Sequence, residues 1–169
     1  MKKHKFSCER GGLTIRGNLF QPEGENLPIA ILSHGFMANQ STMKGYAQAA
    51  AELGFAAFTY DFCGGCLWGR SDGKTTDMSV LTEVEDLKAV IAYASSLSFT
   101  DESRIVLIGA SQGGFVSALT AAQMGNKIER LVLFYPALCI PDDARKGQMM
   151  FAKFDPAEIP SVIRCGPMK

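Results

Sequence analysis

The segment Gly109-Ala110-Ser111-Gln112-Gly113 constrains the fold more than any other part of the sequence. An apolar run that starts at Arg104 precedes it, and a helix-like stretch follows as far as Met124. The pattern predicts a strand, a very tight turn and a helix, because larger side chains two positions before or after the serine would collide in such a turn. Ser111 would then stand at the helix N-terminus, where the helix dipole favours negative charge.

This turn fits two interpretations. In the first, Ser111 is a nucleophile and Gly109 and Gly113 are the glycines of its elbow. In the second, the turn is a strand-to-helix connection of the nucleotide-binding kind, and the serine is there by chance. We favour the nucleophile, because the strand and the helix that this motif requires both flank it. A nucleotide-binding module would also need a phosphate-cradling glycine-rich loop after the first parallel strand, where the sequence has none.

Apolar runs and helical patterns alternate along most of the chain. We expect strands over Leu13 to Phe20, Ile29 to Ser33, Phe55 to Tyr60, Arg104 to Gly109 and Leu131 to Tyr135, and helices over Met43 to Leu53, Val80 to Leu97 and Ala110 to Met124. The first strand alternates as a half-buried antiparallel strand does, whereas the later runs are apolar throughout, as strands buried on both faces are. We therefore predict an α/β fold with a mainly parallel sheet, an antiparallel start and flanking helices.

The composition changes after Pro141. Residues 142–169 are richer in polar residues, proline and methionine, and they show no clear strand. We predict that residues 1–139 form the core and that residues 140–169 begin a cap over the carboxyl edge of the sheet. Met149, Met150, Phe151 and Phe154 fit either an acyl or aromatic pocket beneath that cap or simply its hydrophobic underside.

A second motif, Ser33-His34-Gly35-Phe36, directly follows an expected strand. Acyl transfer needs two backbone N–H donors directed at the oxyanion that forms during the reaction. The residue after the nucleophile, Gln112, supplies one such donor in this architecture, and we expect Phe36 in the early loop to supply the other. We interpret His34 as a structural residue that holds this loop by hydrogen bonds, not as a general base.

With both motifs, the chain resembles the α/β-hydrolase superfamily and, within it, bacterial cinnamoyl and feruloyl esterases and their serine-aminopeptidase-type relatives. The resemblance also covers Tyr60-Asp61-Phe62, Ser71-Asp72-Gly73, the stretch from Asp77 to Leu87, and a tail similar to the first half of that group's cap. It implies hydrolysis of carboxylic esters through an acyl-enzyme on Ser111, with phenolic esters of plant cell-wall sugars as typical substrates. The loop from Cys63 to Arg70 departs from that group's polar loop, so the resemblance does not extend to substrate choice.

The second half of a catalytic triad is missing. Triad order in this fold is serine, acid, histidine, and no histidine follows Ser111, since the two in the chain are His4 and His34. Loss of the histidine base lowers turnover roughly a million-fold, so we expect the chain to be nearly inactive by itself. We interpret it as a fragment whose missing C-terminal segment, or a second copy, pairs with the apolar edge strand at residues 131–135.

The other sequence features indicate no further partner. The formal net charge is zero, which argues against nucleic acid. No apolar run is long enough to span a bilayer or to act as a secretion signal, and the five cysteines form no framework, so we predict a cytoplasmic protein. Cys63-x-x-Cys66 begins no helix, and Cys8, Cys139 and Cys165 add no paired spacing. We therefore expect loop thiols and no redox or metal site.

A serine esterase acting on small acyl or aromatic esters, without a cofactor, is therefore the leading hypothesis. A peptidase, a thioesterase or a monoacylglycerol lipase would use the same triad, and the sequence does not separate these enzymes. The alternative from another class is a non-catalytic remnant or interaction module that kept the elbow by descent.

Overall fold

The computed structural model describes residues 1–150, 152–158 and 163. Its strands are β1 (Lys2–Arg10), β2 (Leu13–Gln21), β3 (Leu27–Ser33), β4 (Ala56–Tyr60), β5 (Thr100–Ala110), β6 (Arg130–Phe134), β7 (Gln148–Met149) and β8 (Ala152–Lys153). Its α-helices are α1 (Lys44–Glu52), α2 (Val80–Ser95), α3 (Gln112–Met124) and α4 (Ile140–Arg145). Short 3₁₀ turns cover Gln40–Met43, Thr75–Asp77 and Gly125–Lys127.

Six strands form one sheet in the order β1-β2-β4-β3-β5-β6. The β1–β2 and β2–β4 pairs are antiparallel, and the β3–β4, β3–β5 and β5–β6 pairs are parallel. The predicted α/β architecture, a mainly parallel sheet with an antiparallel start, is therefore confirmed. The crossovers return the chain to the same end of the sheet, so the carboxyl ends of β3, β4 and β5 meet there.

Helices cover both faces of the sheet. In β3, Ile29 and Ile31 belong to the core shared with α2 and α3, whereas Ala30 and Leu32 pack with the residues of α1 on the other face. Successive side chains of a strand point to opposite faces, so a strand covered on both sides must be apolar throughout. No helix in the described part of the chain is both long and apolar enough to cross a membrane.

The N-terminal strand β1 was not predicted from the sequence. Its register with β2 is continuous from Lys2 opposite Gln21 to Arg10 opposite Leu13. Phe6 is its single buried residue, so the strand lacks the apolar alternation that would reveal it. Lysines are typical of such an edge strand, because they disfavour pairing with another sheet edge.

The tail differs from the expectation of no clear strand. After α4, β7 and β8 pair antiparallel, with Gln148 opposite Lys153 and Met149 opposite Ala152. Strands of two residues are too short to show a periodic pattern, which is why the sequence did not indicate them. The rest of the expected cap, together with Phe151, lies largely outside the described residues, so the boundary at 139 and 140 stays a prediction.

Candidate active site

Ser111 occupies the tight turn between β5 and α3. Its backbone has φ 52° and ψ −121°, a left-handed conformation that is strained for any residue other than glycine. Two hydrogen bonds, to the end of β6 and to the segment after it, hold Ser111 there. The Ser111 N–H donates to the Phe134 carbonyl at 3.0 Å, and the Ala137 N–H donates to the Ser111 carbonyl at 2.9 Å. These two hydrogen bonds therefore hold the Ser111 backbone in its strained conformation.

The two elbow glycines are required by close backbone packing. A Cβ atom at Gly113 would overlap the carbonyl oxygens of Ser33 and His34 at the end of β3. One at Gly109 would overlap the carbonyl oxygen of Gly113 and lie 2.6 Å from the Ser117 hydroxyl. Any larger residue would push α3 away from the sheet and displace Ser111 with it.

The loop after β3 lies directly against Ser111. A Cβ atom built on Gly35 would lie 3.2 Å from Ser111 Cβ and 3.7 Å from its Oγ atom. The loop then turns sharply, with the Ala38 N–H donating to the Gly35 carbonyl at 3.1 Å and Met37 at φ 59°. The loop after β3 therefore lies close to Ser111, as its expected role requires.

His34 holds this loop, as predicted. The Phe62 N–H donates to His34 Nε2 at 3.2 Å, so Nε2 is the acceptor and Nδ1 carries the proton, which it donates to the Gly35 carbonyl at 2.8 Å. Burial lowers the pKa of His34, in agreement with a neutral ring. Both nitrogens are engaged, so His34 is not free to take a proton from Ser111.

Two backbone N–H groups matter for this site: that of Gln112, which follows Ser111, and that of Phe36 in the loop that packs against it. Because a trans peptide directs its N–H opposite to its carbonyl, fixing the Gly35 carbonyl also fixes the direction of the Phe36 N–H. Within the described ranges, neither this N–H nor that of Gln112, the first residue of α3, has a hydrogen-bond acceptor. The Ser111 hydroxyl likewise makes no hydrogen bond to a described group. The Ser111 hydroxyl and both N–H groups thus have no hydrogen-bond partner among the described residues.

A buried carboxyl group contacts the elbow from α2, and the sequence analysis missed it. Gln112 Nε2 donates to Glu83 Oε2 at 2.8 Å, and Glu83 is only 1% exposed. Burial raises the pKa of Glu83 to about 8. The sequence spacing does indicate that Glu83 is buried, because Leu87, Val90 and Ala94 follow it at helical intervals on the buried face of α2.

A second buried acid, Asp86, anchors the loop after β4. It accepts a hydrogen bond from the Cys63 N–H at 2.8 Å and pairs with Arg10 Nε at 2.7 Å. Burial, with the nearby Asp86 charge, raises the pKa of the Cys63 thiol to about 12, and burial also raises that of Cys66. Neither thiol is bonded to another cysteine. Such raised pKa values disfavour the thiolate, which agrees with the expectation that these cysteines are loop thiols and not a redox or metal site.

No group of residues able to hold a metal ion occurs among the described residues. Cys165 lies outside them. His4 does not supply the missing base either, because it lies on the exposed edge strand β1. Four strand spacings separate β1 from β5, which places His4 roughly 19 Å to the side of the strand that carries Ser111. Neither histidine of the chain is therefore placed to act as a base for Ser111.

Comparison with known proteins agrees with this geometry. The family model described as serine aminopeptidase, S33, matches residues 24–162. The chain belongs to this family of α/β-hydrolases. Est1E from Butyrivibrio proteoclasticus, solved with bound ferulic acid, superposes with a TM-score of 0.88 and 30% identity over 97% of this chain and 66% of that one.

Two curated relatives are longer than this chain, and the matched region covers only part of each. A 31.7 kDa Escherichia coli protein from the traX–finO intergenic region is 37% identical over 122 residues, which are 71% of this chain and 40% of the relative. The monoacylglycerol lipase of Mycolicibacterium smegmatis is 28% identical over 152 residues, 89% of this chain and 52% of the relative. The chain thus spans about half the length of these relatives, or less.

Proposed function

We propose that Ser111 is the nucleophile of a serine hydrolase that cleaves carboxylic esters. The observation that carries the proposal is the strained elbow, whose hydroxyl and neighbouring N–H groups have no hydrogen-bond partner in the described part of the chain. Ser111 Oγ attacks the ester carbonyl carbon, and the N–H groups of Phe36 and Gln112 stabilise the oxyanion. Collapse of this intermediate expels the alcohol and leaves an acyl-enzyme, which water then hydrolyses.

The Ser111 proton must pass to a base, which we propose lies in a segment outside this sequence together with the triad acid. Two observations support a longer catalytic unit. The relatives extend well beyond the matched region. Among the described strands, β6 has a neighbour on one side only, and its Leu131 is 38% and its Val132 40% exposed. An apolar, unpaired edge is a site for a further strand, supplied either by that segment or by a second copy.

For the acyl group, we propose small and aromatic acids, with feruloyl and other cinnamoyl esters tested first. The support is the similarity to Est1E, whose structure holds ferulic acid. The similarity to a monoacylglycerol lipase makes short acyl glycerols the comparison substrate.

A fluorophosphonate probe tests the nucleophile directly. The wild-type chain and Ser111→Ala are incubated with the probe, with and without imidazole as a substitute for the absent base, and their intact masses are recorded. We expect one adduct on the wild type, formed faster with imidazole, and none on Ser111→Ala. An unlabelled wild type in both conditions would contradict a competent nucleophile.

The alternative is a non-catalytic interaction module. The observation that favours it is that neither histidine is placed to serve Ser111. The labelling experiment separates the two proposals, because a module that kept the elbow only by descent has no reason to keep Ser111 reactive. Light scattering of the same sample shows whether the chain dimerises, which pairing of two copies through β6 requires.

A further inference from the structure

A cleft of about 500 Å³ lies beside the N-terminal edge of the sheet, on the face that α1 covers. Its floor includes Asn18, Phe20 and Thr59, which sit side by side on β2 and β4. The start of the Gln40–Met43 turn, β1 and the loop after β4 also line the cleft. This volume is within the range of small-molecule sites.

Four cations from three parts of the chain line this cleft. Lys3 and Lys5 project from the same face of β1, Lys44 comes from the first residue of α1, and Arg70 comes from the loop after β4. In the described part of the chain, none of the four side chains forms an ion pair with a carboxylate. Unpaired like charges around one cavity repel each other, so this arrangement favours an anion between them.

Asp61, the one carboxylate among the described lining residues, forms no ion pair with these cations. Asp61 is buried, and its oxygens accept hydrogen bonds from the Gln40 N–H at 2.7 Å, the Gln40 side-chain amide at 3.0 Å and the Arg70 N–H at 2.8 Å. These bonds tie the Gln40–Met43 turn to the loop after β4. The net positive charge of the lining contrasts with the zero net charge of the whole chain.

Protection of the sheet edge explains only part of this pattern. Lysines on β1 would discourage strand pairing, but Lys44 and Arg70 do not lie on an edge strand. Edge protection also gives no reason for an exposed aromatic residue at the same place. Trp68 lines the cleft and is 79% exposed, and its neighbour Leu67 is 48% exposed.

We propose that this basic cleft binds a small organic anion, an aromatic ring that carries a phosphate or carboxylate group. The anionic group lies among Lys5, Lys44 and Arg70, and the ring packs on Trp68. Ser111 does not line the cleft, so binding there does not depend on the reactivity of Ser111.

Trp68 is the single tryptophan of the chain, so its fluorescence reports binding in the cleft directly. The probe is phenyl phosphate, titrated beside its separate halves, inorganic phosphate and phenol, and beside benzoate as the carboxylate form. We expect a saturable change with phenyl phosphate or benzoate that weakens as salt is added, a weaker response to inorganic phosphate, and none to phenol.

Arg70→Ala and Lys5→Ala should each weaken binding about tenfold, because each removes a charge-assisted contact. Lys127→Ala, an exposed lysine at the far side of the molecule, is the matched control and should bind as the wild type does. Ser111→Ala should also bind normally, which separates this cleft from the hydrolase site. Circular dichroism confirms that each variant is folded.

Three results would overturn the proposal. The first is the absence of a saturable signal up to about 10 mM of either aromatic anion, a concentration beyond which affinity is too weak for a site. The second is equal binding of inorganic phosphate and phenyl phosphate, which would remove the role of Trp68. The third is binding of anionic lipid vesicles without any response to the small anions, which would make the cleft a membrane-contact surface instead.

Discussion

Replacing Glu83 by glutamine tests the electrostatics beneath the elbow. Glutamine has nearly the same shape, and its carbonyl oxygen can still accept the hydrogen bond that Gln112 Nε2 donates to Glu83 at 2.8 Å. The substitution therefore removes the titration of the buried carboxyl group while keeping the packing of α2 against α3. Any difference in pH dependence between the two proteins then reports on Glu83.

The size and sign of the effect follow from burial, which raises the pKa of Glu83 from 4.5 to about 8. Below pH 4.5 the group is protonated in both the folded and the unfolded chain, and the stability that its protonated form contributes is fully present. As the pH rises towards 8, the unfolded chain loses the proton while the folded chain keeps it. The contribution of Glu83 to the free energy of unfolding therefore falls, by about 5 kcal/mol in total at about 1.4 kcal/mol per pH unit.

Urea unfolding at about pH 5 and pH 8, near the ends of this window, measures the effect. We expect Glu83→Gln to gain stability relative to the wild type between the two pH values, by several kcal/mol. The matched control is Glu85→Gln, because Glu85 lies on the same helix, is exposed and pairs with Lys88 at 2.8 Å. Wild-type and Glu83→Gln curves that stay parallel to within about 1 kcal/mol would refute the reasoning, since Glu83 would then be ionised or hydrated in the folded chain.

Three further outcomes are expected. Gly113→Ala should lower the free energy of unfolding by at least about 3 kcal/mol, because the added Cβ atom overlaps backbone oxygens. In the same urea assay the control Gly45→Ala, whose Cβ atom would lie in open space on α1, should be neutral or stabilising by up to about 1 kcal/mol. Asp86→Ala should lower the free energy of unfolding by about 2 to 4 kcal/mol, because Arg10 and the buried Cys63 N–H lose their acceptor. A loss of stability as small as that of Glu85→Gln would contradict this account. After treatment with iodoacetamide at about pH 8, peptide mass mapping should show that the exposed Cys139 is alkylated well before Cys63. The reason is that a pKa of about 12 leaves roughly one Cys63 thiol in ten thousand as thiolate. Equal rates would show that Cys63 is accessible and ionised.

Much of the fold could be predicted from local patterns. The buried strands appeared as continuous apolar runs because both faces of the sheet are covered, and the elbow appeared because its glycines have no tolerated alternative. The exposed strand β1 and the two-residue strands β7 and β8 escaped prediction for the opposite reason, since neither exposure nor extreme shortness produces an apolar period. The roles of Phe36 and Gln112 as donors remain predictions that the geometry supports.

The sequence by itself determined the features that depend on neighbours in the chain: the tight turn at Ser111, the strand that precedes it, and the absence of a histidine after it. Only the tertiary structure decided which distant groups meet. It brought Glu83 to Gln112 across two helices, and it gathered the cations of the basic cleft from β1, α1 and the loop after β4. These contacts follow from strand order and helix packing, which bring together residues tens of positions apart and leave no short-range period in the sequence.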